Sequence, residues 1–445
     1  MTVMFSPARP AETAQWFRQP RGLSILFLTQ MWEIFSYYGM RTLLMYYMTK
    51  QLMLGQQHAS LVYGAYTATA YFTPIVGGVV ADRWLGRRRA VIIGGSIMAL
   101  GHFLMASEGL FYFALAAIAL GNGLFLPSLP SQIDGLYAKD DPRRGSAYNV
   151  YYVGINLGGV LAPLVCGTLG ELYGWHWGFG AAGVGMLGGL LVYVLGGKYL
   201  PDEAPSARTP RIASPSPRRV LRRELLALLG VGLCVMLFRG AYEQMGNSIA
   251  LWADVGIDRH AGAFVIPMTW FQSLNPFLVI VLTPLLVAHW TRQARNEREP
   301  TPARKMALGA FGVAIAFLLL SMVGATTPVG QAHWIWLALF FAVFTTAELF
   351  ILPVGLGLFA RLAPEGHGAT TIAAWYFASF GGNLLAGALG TLWSVLGHAA
   401  FFAVIALVAT SAGLLLRLLD GAVRRAEASK AAADAAFAAP PVLHG

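Results

Sequence analysis

Twelve long apolar segments constrain this chain more than any other feature of its sequence. A bilayer span needs about 20 apolar residues. Of the 445 residues, 56% are hydrophobic and 12% are charged, whereas a soluble domain has roughly 25% charged residues. The sequence therefore predicts an all-α membrane protein. The predicted span cores are 23–49, 60–81, 90–107, 110–136, 147–170, 178–198, 225–251, 263–289, 306–324, 333–360, 370–396 and 399–418.

A polar segment with five prolines, 201–217, divides the spans into six and six. Glycine-rich stretches with an asparagine recur at equivalent places, 154–159 in span five and 381–387 in span eleven. Two six-helix halves with substrate bound between them are typical of the major facilitator fold. The predicted parts are a cytoplasmic N-terminus (1–22), an N-terminal bundle (23–200), a cytoplasmic linker (201–219), a C-terminal bundle (220–419) and a cytoplasmic tail (420–445) that is disordered or loosely helical.

The net charge of +10 reflects membrane orientation rather than nucleic-acid binding. Arg and Lys cluster after the even-numbered spans, and the opposite face has only Lys50 and Arg259. By the positive-inside rule this places both termini in the cytoplasm, which predicts a multi-pass protein of the cell inner membrane. Residues 1–22 show no cleavable signal pattern, and Cys166 and Cys234 lie in apolar spans, so no disulfide framework is expected.

Span one carries charged side chains where lipid disfavours them. Each costs about 2.5 kcal/mol or more at the centre of a membrane span. At about 100° per residue one helical stripe holds Gln30, Glu33, Ile34, Tyr37 and Arg41. Glu33 and Arg41 are about 12 Å apart along a helix, too far to pair with each other. We therefore expect the stripe to face protein or a cavity, and the partners of both charges to come from other helices.

Spans seven and ten also contain buried charges. The deep groups are three acids and two arginines: Glu33, Glu243, Glu348, Arg41 and Arg239. This count leaves one carboxylate without a fixed cation, and such a group takes up a proton or waits for a cationic ligand. A single buried acid is often a structural ion pair, and a lone asparagine is often an interhelical hydrogen bond. Three acids on three spans argue against a purely structural role for all of them. Charges of both signs among aromatic side chains suit a zwitterion.

Chemistry of other kinds has no signature in the sequence. There is no Cys/His spacing of a metal site and no nucleophile elbow. We therefore expect no enzyme activity and no cofactor other than protons as a coupling ion.

Taken together, these stretches resemble the POT (PTR) family of proton-coupled oligopeptide transporters over nearly the whole chain. Span one reads Q-M-W-E-I-F-S-Y-Y-G, where the family signature is E-x-x-E-R-F-x-Y-Y-G. The other matching stretches are 77–87, 121–127, 151–158, 243–244, 275–276 and 348–353.

The resemblance implies roles for individual residues. Glu348, Asn156 and Asn275 correspond to groups that hold the amino terminus of the peptide, and Arg41 to a clamp for its carboxylate. The residues expected to line the pocket are Tyr37, Tyr38, Tyr71, Trp375 and Ser379. The residues expected to act in proton coupling and gating are Glu33, Glu243, Arg239 and Arg41. The expected partners are a di- or tripeptide and the lipid bilayer, with no nucleic acid and with a monomer sufficient for function.

The chain departs from the family pattern at several charged positions. The first Glu of the signature is Gln30, its Arg is Ile34, and the Lys of span four is Leu126. A histidine found on span two of some relatives is replaced by Gly64. One titratable acid and two cations of the usual network are therefore missing.

Arg239 stands where a Trp is common in the family. We expect it to replace part of the lost positive charge, by pairing with Glu243 or Glu33 or by helping to hold the substrate carboxylate.

The sequence thus predicts proton-coupled symport of di- and tripeptides by alternating access. The alternatives are an uncoupled or weakly coupled peptide uniporter, the same fold carrying another amine-bearing or anionic solute, and a non-transporting peptide receptor.

Overall fold

The computed structural model describes residues 19–138, 141–201, 218–363 and 368–438. Most of the predicted linker, and the ends 1–18 and 439–445, lie outside the described residues. Within them, long helices form two bundles in chain order, and each predicted span core overlaps a helix. The core 263–289 begins too early, because its helix starts only at Leu274. The twelve-helix major facilitator fold is confirmed.

The N-terminal half contains helices α1 to α6: Arg21–Tyr46, Gln56–Val80, Arg87–Leu104, Phe111–Ser128, Arg144–Ala162 and Trp175–Leu195. Helix α5 continues through a π-helical turn into a short final segment, Pro163–Gly167 and Thr168–Tyr173. Other π-helical turns follow α1 and α2, at Tyr47–Gln51 and Ala81–Leu85. Short 3-10 turns lie at Glu108–Leu110, Pro130–Gln132, Asp134–Leu136 and Gly196–Tyr199.

The C-terminal half contains helices α7 to α12: Arg218–Tyr242, Leu274–Arg295, Pro302–Thr326, Ile335–Leu349, Gly368–Gly390 and His398–Ala438. Helix α7 passes through a 3-10 turn, Glu243–Gly246, and resumes as Ser248–Val255. A 3-10 segment, Met268–Ser273, precedes α8. Helix α10 resumes after two residues as Leu352–Leu362, and a short helix, Trp393–Leu396, follows α11.

Four two-residue strands lie in the connections after α7 and α9. They are β1 Ile257–Asp258, β2 His260–Ala261, β3 Phe264–Val265 and β4 Ala332–His333. β1 pairs in parallel with β4, and β2 pairs antiparallel with β3.

Nine of the helical segments in the described residues are long and apolar enough to cross a membrane by length and composition alone. The helices α1, α2 and α3 fall outside that criterion because they carry more polar residues. The polar groups of α1 are turned into the protein: Gln30 and Glu33 are each 1% exposed and Arg41 is 6% exposed. This confirms that the stripe of span one faces protein, not lipid.

The tail predicted from residue 420 is helical at least to Ala438, because α12 does not end at the predicted boundary. Asp420 accepts a hydrogen bond from the Thr301 hydroxyl at 2.5 Å and pairs with Arg304 at 2.9 Å. Val423 and Ala426, farther along α12, are buried. The first part of the tail is therefore packed against the start of α9 and is not loosely attached.

Three helix pairs join the two halves. Contacts along α1 and α7 advance together, from Arg41–Glu243 to Tyr46–Ala250 and Lys50–Asp254, so these two helices run in parallel. The pair α2 and α11 is antiparallel, and so is the pair α5 and α8. Where α2 crosses α11, a Cβ added at Gly64 would lie 2.5 Å from the Cα of Gly387. The two backbones thus touch directly, which explains why glycine, and not a larger residue, stands at position 64.

Candidate functional site

The centre of the site is the break in α7. The helix ends at Tyr242, and the 3-10 turn that follows places Glu243 against α1 of the other half. A Cβ at Gly246 would lie 2.0 Å from the Tyr63 hydroxyl and 3.4 Å from an Arg41 nitrogen. A side chain at position 246 would thus displace the groups that approach Glu243. The sequence Arg-Gly-Ala-Tyr-Glu-Gln-Met-Gly therefore brings a carboxylate to the interface between the halves.

Glu243 binds two guanidinium groups, one from each half. The Arg41 Nη2 donates to its Oε2 at 2.5 Å, and the Arg239 Nη1 lies 3.3 Å from its Oε1. The Arg41 Nε also donates to the Tyr63 hydroxyl at 2.9 Å. All three charged side chains are buried. We call Arg41, Arg239 and Glu243 the arginine centre; with two cations and one acid, it has a formal surplus of one positive charge.

Tyrosine rings cover the faces of both arginines. The Arg239 guanidinium carbon lies 4.4 Å from the centre of the Tyr71 ring, and that of Arg41 lies 5.5 Å from the Tyr38 ring. The Tyr37 ring contacts that of Tyr38 edge to face at 5.7 Å. Cation–π contacts of this kind stabilise a desolvated cation without using its N–H groups. The predicted tyrosines of α1 and α2 are therefore gathered around the arginine centre.

Glu348 lies at a second helix break, as the second-last helical residue before the two residues that interrupt α10. Its Oε1 accepts from the Tyr242 hydroxyl at 2.9 Å, and its Oε2 accepts from the Asn275 amide at 2.6 Å. The same amide donates to Thr345 at 3.0 Å. Among the described residues Glu348 has no ion-pair partner within 4.0 Å. We call Glu348, Asn275 and Tyr242 the acidic centre; it presents a carboxylate held by neutral donors.

Tyr242 connects the two centres. Its hydroxyl reaches Glu348, and the Arg239 guanidinium carbon lies 5.2 Å from the centre of its ring. The ring stacks on Phe344 of α10 at 5.3 Å. One aromatic side chain therefore separates a cationic from an anionic surface, the arrangement that a zwitterion with charged ends requires.

Among the described residues Glu33 has no ion pair, and its hydrogen-bond donor lies on its own helix, so the expectation of a partner from another helix was wrong for this residue. Its Oε2 accepts from the Gln30 amide, one turn earlier on α1, at 2.6 Å. The Gln30 carbonyl in turn accepts from the Tyr151 hydroxyl of α5. A glutamine can accept on one side and donate on the other. Gln30 therefore joins α5 to Glu33 with a chain of neutral donors.

The charge count also needs correction. It left one carboxylate without a fixed cation, whereas in the described structure Glu243 takes both arginines, and neither Glu33 nor Glu348 has an ion pair. Of the two partners considered for Arg239, the structure selects Glu243.

The remaining predicted residues lie around these centres in different ways. Asn156 is buried, but its amide donates to the Tyr152 carbonyl of its own helix at 2.9 Å. Trp375 packs edge to face on Phe359 at 5.3 Å, between α11 and α10. Ser379 is buried, and its carbonyl accepts from the Asn383 amide at 2.7 Å. The structure thus brings Asn275 to Glu348, while Asn156, Trp375 and Ser379 make their described contacts elsewhere.

Three tyrosines of the site were not among the predicted site residues. Tyr63 binds Arg41, Tyr242 binds Glu348, and Tyr376 faces Tyr71 across the interface with ring centres 6.2 Å apart. Tyr242 directly precedes Glu243 in the sequence, and its position next to a predicted site residue could have indicated that it belongs to the site. Tyr63 and Tyr376 carry no comparable signal, because tyrosine is common in membrane helices.

The halves are held together at one end of the bundle, the closed end, which comprises the last turns of α1, α5, α7 and α11 and the first turns of α2 and α8. Ser60 donates to Asn247 at 2.8 Å, and Gln56 donates to the Gly390 carbonyl at 2.9 Å. Gln244 fixes α7 to α11 by donating to the Ala386 carbonyl at 2.9 Å.

A carboxylate of α5 binds the start of α8 at the closed end. Glu171 accepts from the backbone N–H of Met268 at 3.1 Å and from that of Thr269 at 2.9 Å, and also from the Thr269 hydroxyl at 2.5 Å. The Trp270 indole donates to Thr168 at 2.7 Å. Free N–H groups at the start of a helical segment are a favourable place for a carboxylate. We call the contact of Glu171 with Met268 and Thr269 the α5–α8 latch.

No group of three or more potential metal ligands occurs among the described residues.

The profile of the POT family (PTR2) matches residues 88–213 and 218–403. An uncharacterized transporter of Bacillus subtilis, YclF, is 31% identical over 92% of this chain and 96% of its own length. A di-/tripeptide transporter of Lactococcus lactis subsp. cremoris is 29% identical over 91% of this chain and 96% of its own.

Solved structures agree with this assignment. The crystal structure of the peptide transporter POT in complex with sulfate has a TM-score of 0.86 to this chain at 29% identity, and the match covers 94% of this chain and 97% of the other. The family and these structures are those of transporters, not enzymes.

Proposed function

Because the chain belongs to the POT family, we propose that it carries di- and tripeptides together with protons across the inner membrane by alternating access. Similar proteins named di-/tripeptide transporters support the substrate class, and a related POT structure contains alafosfalin. The arrangement of charge within the site supports the same substrate independently.

The two centres match the two ends of a peptide. At neutral pH a dipeptide carries an ammonium and a carboxylate. Glu348 and the Asn275 carbonyl can accept from an ammonium, and the arginine centre can donate to a carboxylate. The peptide would thus span from α10 of one half to α1 of the other. Both centres belong to a single chain, so a monomer is sufficient in this proposal.

The single observation that carries the mechanism is the ion pair between Arg41 and Glu243. It joins the halves next to the closed end, with 2.5 Å between the Arg41 Nη2 and the Glu243 Oε2. Removing the charge of one partner leaves the other charge buried and unpaired, which costs about 3–5 kcal/mol, so neutralising Glu243 would destabilise the closed end. A proton on Glu243 would remove its charge and release Arg41, which allows the closed end to open. Loss of the proton would restore the pair.

The direction of opening follows from the distribution of charge. Basic residues cluster at the end opposite the closed end, and we assign that end to the cytoplasm. Both termini are then cytoplasmic, and the closed end faces outward. An inside-negative potential adds about 2.3 kcal/mol per 100 mV for each proton that enters.

The test is uptake of labelled dialanine into proteoliposomes with an inward proton gradient. We expect the wild type to accumulate dialanine above the outside concentration and Glu243→Gln to lose this accumulation. Exchange of dialanine without a gradient serves as the control, because it needs binding and movement but no net proton flow. Accumulation by Glu243→Gln equal to that of the wild type would contradict the mechanism.

A second candidate is an uncoupled or weakly coupled peptide carrier. It is favoured by Gln30, Ile34 and Leu126, which remove charges from the family network. In the same assay an uncoupled carrier would equilibrate dialanine but never concentrate it, with or without a proton gradient, and a weakly coupled carrier would concentrate it only slightly.

A further inference from the structure

We propose that Arg239 is a second binding residue for the carboxylate of the substrate, provided by the C-terminal half opposite Arg41. This inference rests on the proposed function, and it concerns a side chain that replaces the Trp common at this position. In this proposal the substrate carboxylate contacts Arg41 of one half and Arg239 of the other, so this single group joins the two halves.

The first observation is that Arg239 has an unused donor. The residue is 3% exposed, and its buried Nε has no hydrogen-bond partner among the described residues. The corresponding Nε of Arg41 is satisfied by the Tyr63 hydroxyl. Leaving a buried donor unpaired is costly, and more so for a charged group. A ligand that accepts from Arg239 would remove this cost.

The second observation is the orientation of the guanidinium. The Tyr71 ring covers one face at 4.4 Å, and α11 closes in behind the base of the side chain, where a Cβ at Gly382 would lie 2.4 Å from the Arg239 Cβ. All the N–H groups lie on the edge of the guanidinium, where Nη1 faces Glu243 at 3.3 Å and the Nε is without a partner among the described residues. The edge is the part that binds a carboxylate with two parallel hydrogen bonds.

The third observation is the charge of the arginine centre. Its two cations share a single carboxylate, and each arginine takes one oxygen of Glu243. The Arg239 contact is the longer of the two, 3.3 Å against 2.5 Å. One further carboxylate would neutralise the centre. The anion expected there is the carboxylate of a peptide whose ammonium lies at Glu348, because Tyr242 joins the two centres.

The experiment compares two probes, dialanine and dialanine amide, as competitors of labelled dialanine exchange in proteoliposomes without a proton gradient. The probes share the ammonium and differ in the carboxylate. For Arg239→Met we expect the inhibition constant of dialanine to rise roughly 10- to 100-fold, the value of a charged hydrogen bond, and that of the amide to change little. Lysine keeps the charge but not the two parallel donors of arginine. The inhibition constant of dialanine in Arg239→Lys should therefore lie between those of the wild type and Arg239→Met.

Glu348→Gln is the matched control, because it should weaken both probes to a similar degree. Thermal unfolding of each variant verifies that it is folded. If Arg239→Met does not fold, the comparison of the two probes is made with Arg239→Lys instead. Equal weakening of both probes in Arg239→Met, or no weakening, would overturn the inference while leaving peptide transport intact. Absence of dialanine exchange and binding in the wild type would overturn both proposals.

Discussion

Three glutamates buried in the membrane-spanning helices have three different sets of partners. Glu243 contacts two arginines, Glu348 is held by a tyrosine and an asparagine, and Glu33 by a glutamine. A carboxylate that already contacts two cations has little attraction left for an ammonium, whereas one held by neutral donors keeps it. At the scale of single residues, Glu348 is therefore the acid suited to a cationic ligand, and Glu243 the acid suited to control an ion pair.

Replacing Glu348 by Gln should selectively weaken binding of substrates with a free amino terminus. The Gln carbonyl can still accept a hydrogen bond, but the charge that attracts an ammonium is lost. We expect the apparent affinity for dialanine to fall roughly 10- to 100-fold, the value of a charge-assisted hydrogen bond. Competition in the exchange assay measures this.

N-acetyl-dialanine is the matched control for this variant, because it has no ammonium. Its weak inhibition should be the same in the wild type and in Glu348→Gln. An equal fall for both ligands would mean that the substitution disturbs the pocket as a whole.

Part of the site could be predicted from residue type and the family pattern. Charge in an apolar span identified Glu33, Arg41, Glu243 and Glu348, and the structure buries all four. The partners were harder to predict, because pairing depends on which helices meet at a given depth. Spacing along α1 excluded a Glu33–Arg41 pair, but it gave no reason to expect that Gln30 would satisfy Glu33 on the same helix.

At the scale of helices, interruptions position the chemistry. Glu243 begins the 3-10 turn of α7, Glu348 precedes the break of α10, and Asn275 is the second residue of α8 after its 3-10 segment. Hydropathy predicted a span at each of these places but none of the breaks. Pro353 and Gly246 mark two of them, yet glycine and proline are tolerated inside membrane helices, where neighbouring groups satisfy the freed backbone.

Removing the α5–α8 latch should favour opening of the closed end. In Glu171→Ala the N–H groups of Met268 and Thr269 lose their acceptor, so closure loses several hydrogen bonds to a charged group. With Ser273→Cys as a reporter beside the latch, we expect an impermeant maleimide added outside to react roughly 10-fold faster or more. The two native cysteines are buried and give a low background.

Asp254→Ala is the control for the latch. Asp254 also joins the halves at the closed end, through Lys50, but the lysine side chain is 42% exposed. Exposed pairs contribute about 0–1 kcal/mol, so its loss should change the labelling rate much less. A larger effect from Asp254→Ala than from Glu171→Ala would contradict the importance of the latch.

At the scale of the whole molecule, the two halves meet through direct backbone contact where α2 crosses α11. Gly64→Ala should disturb this crossing, since the added Cβ would lie 2.5 Å from the Gly387 Cα and 2.9 Å from the Asn383 carbonyl oxygen. We expect a loss of about 1–3 kcal/mol in stability and slower dialanine exchange. Thermal unfolding in detergent and the exchange assay measure these effects.

Gly188 on α6 provides the comparison, because a Cβ there has no atom within 4 Å. Gly188→Ala should unfold and exchange like the wild type. If Gly64→Ala and Gly188→Ala behaved alike, the two helices at the crossing of α2 and α11 could move apart without loss, which would contradict the prediction.

The orientation of the whole bundle can be tested with two single cysteines. Asp258→Cys lies near the closed end, and Arg298→Cys lies in the connection between α8 and α9 at the opposite end. In intact cells an impermeant maleimide should label the first and not the second. The reverse pattern would contradict the assigned topology, and permeabilised cells, in which both should react, control for access.

The surplus positive charge of the arginine centre also bears on leakage. A carrier that opens to each side in turn must not conduct sodium or potassium ions. Arg41 and Arg239 are buried at the meeting place of the halves, where a fixed cation raises the electrostatic barrier for any small cation. Inorganic cations have no second charge to offset this repulsion, whereas a peptide brings a carboxylate to the same place. We therefore expect the two arginines to oppose the passage of inorganic cations, and recordings from the empty carrier should show no cation current.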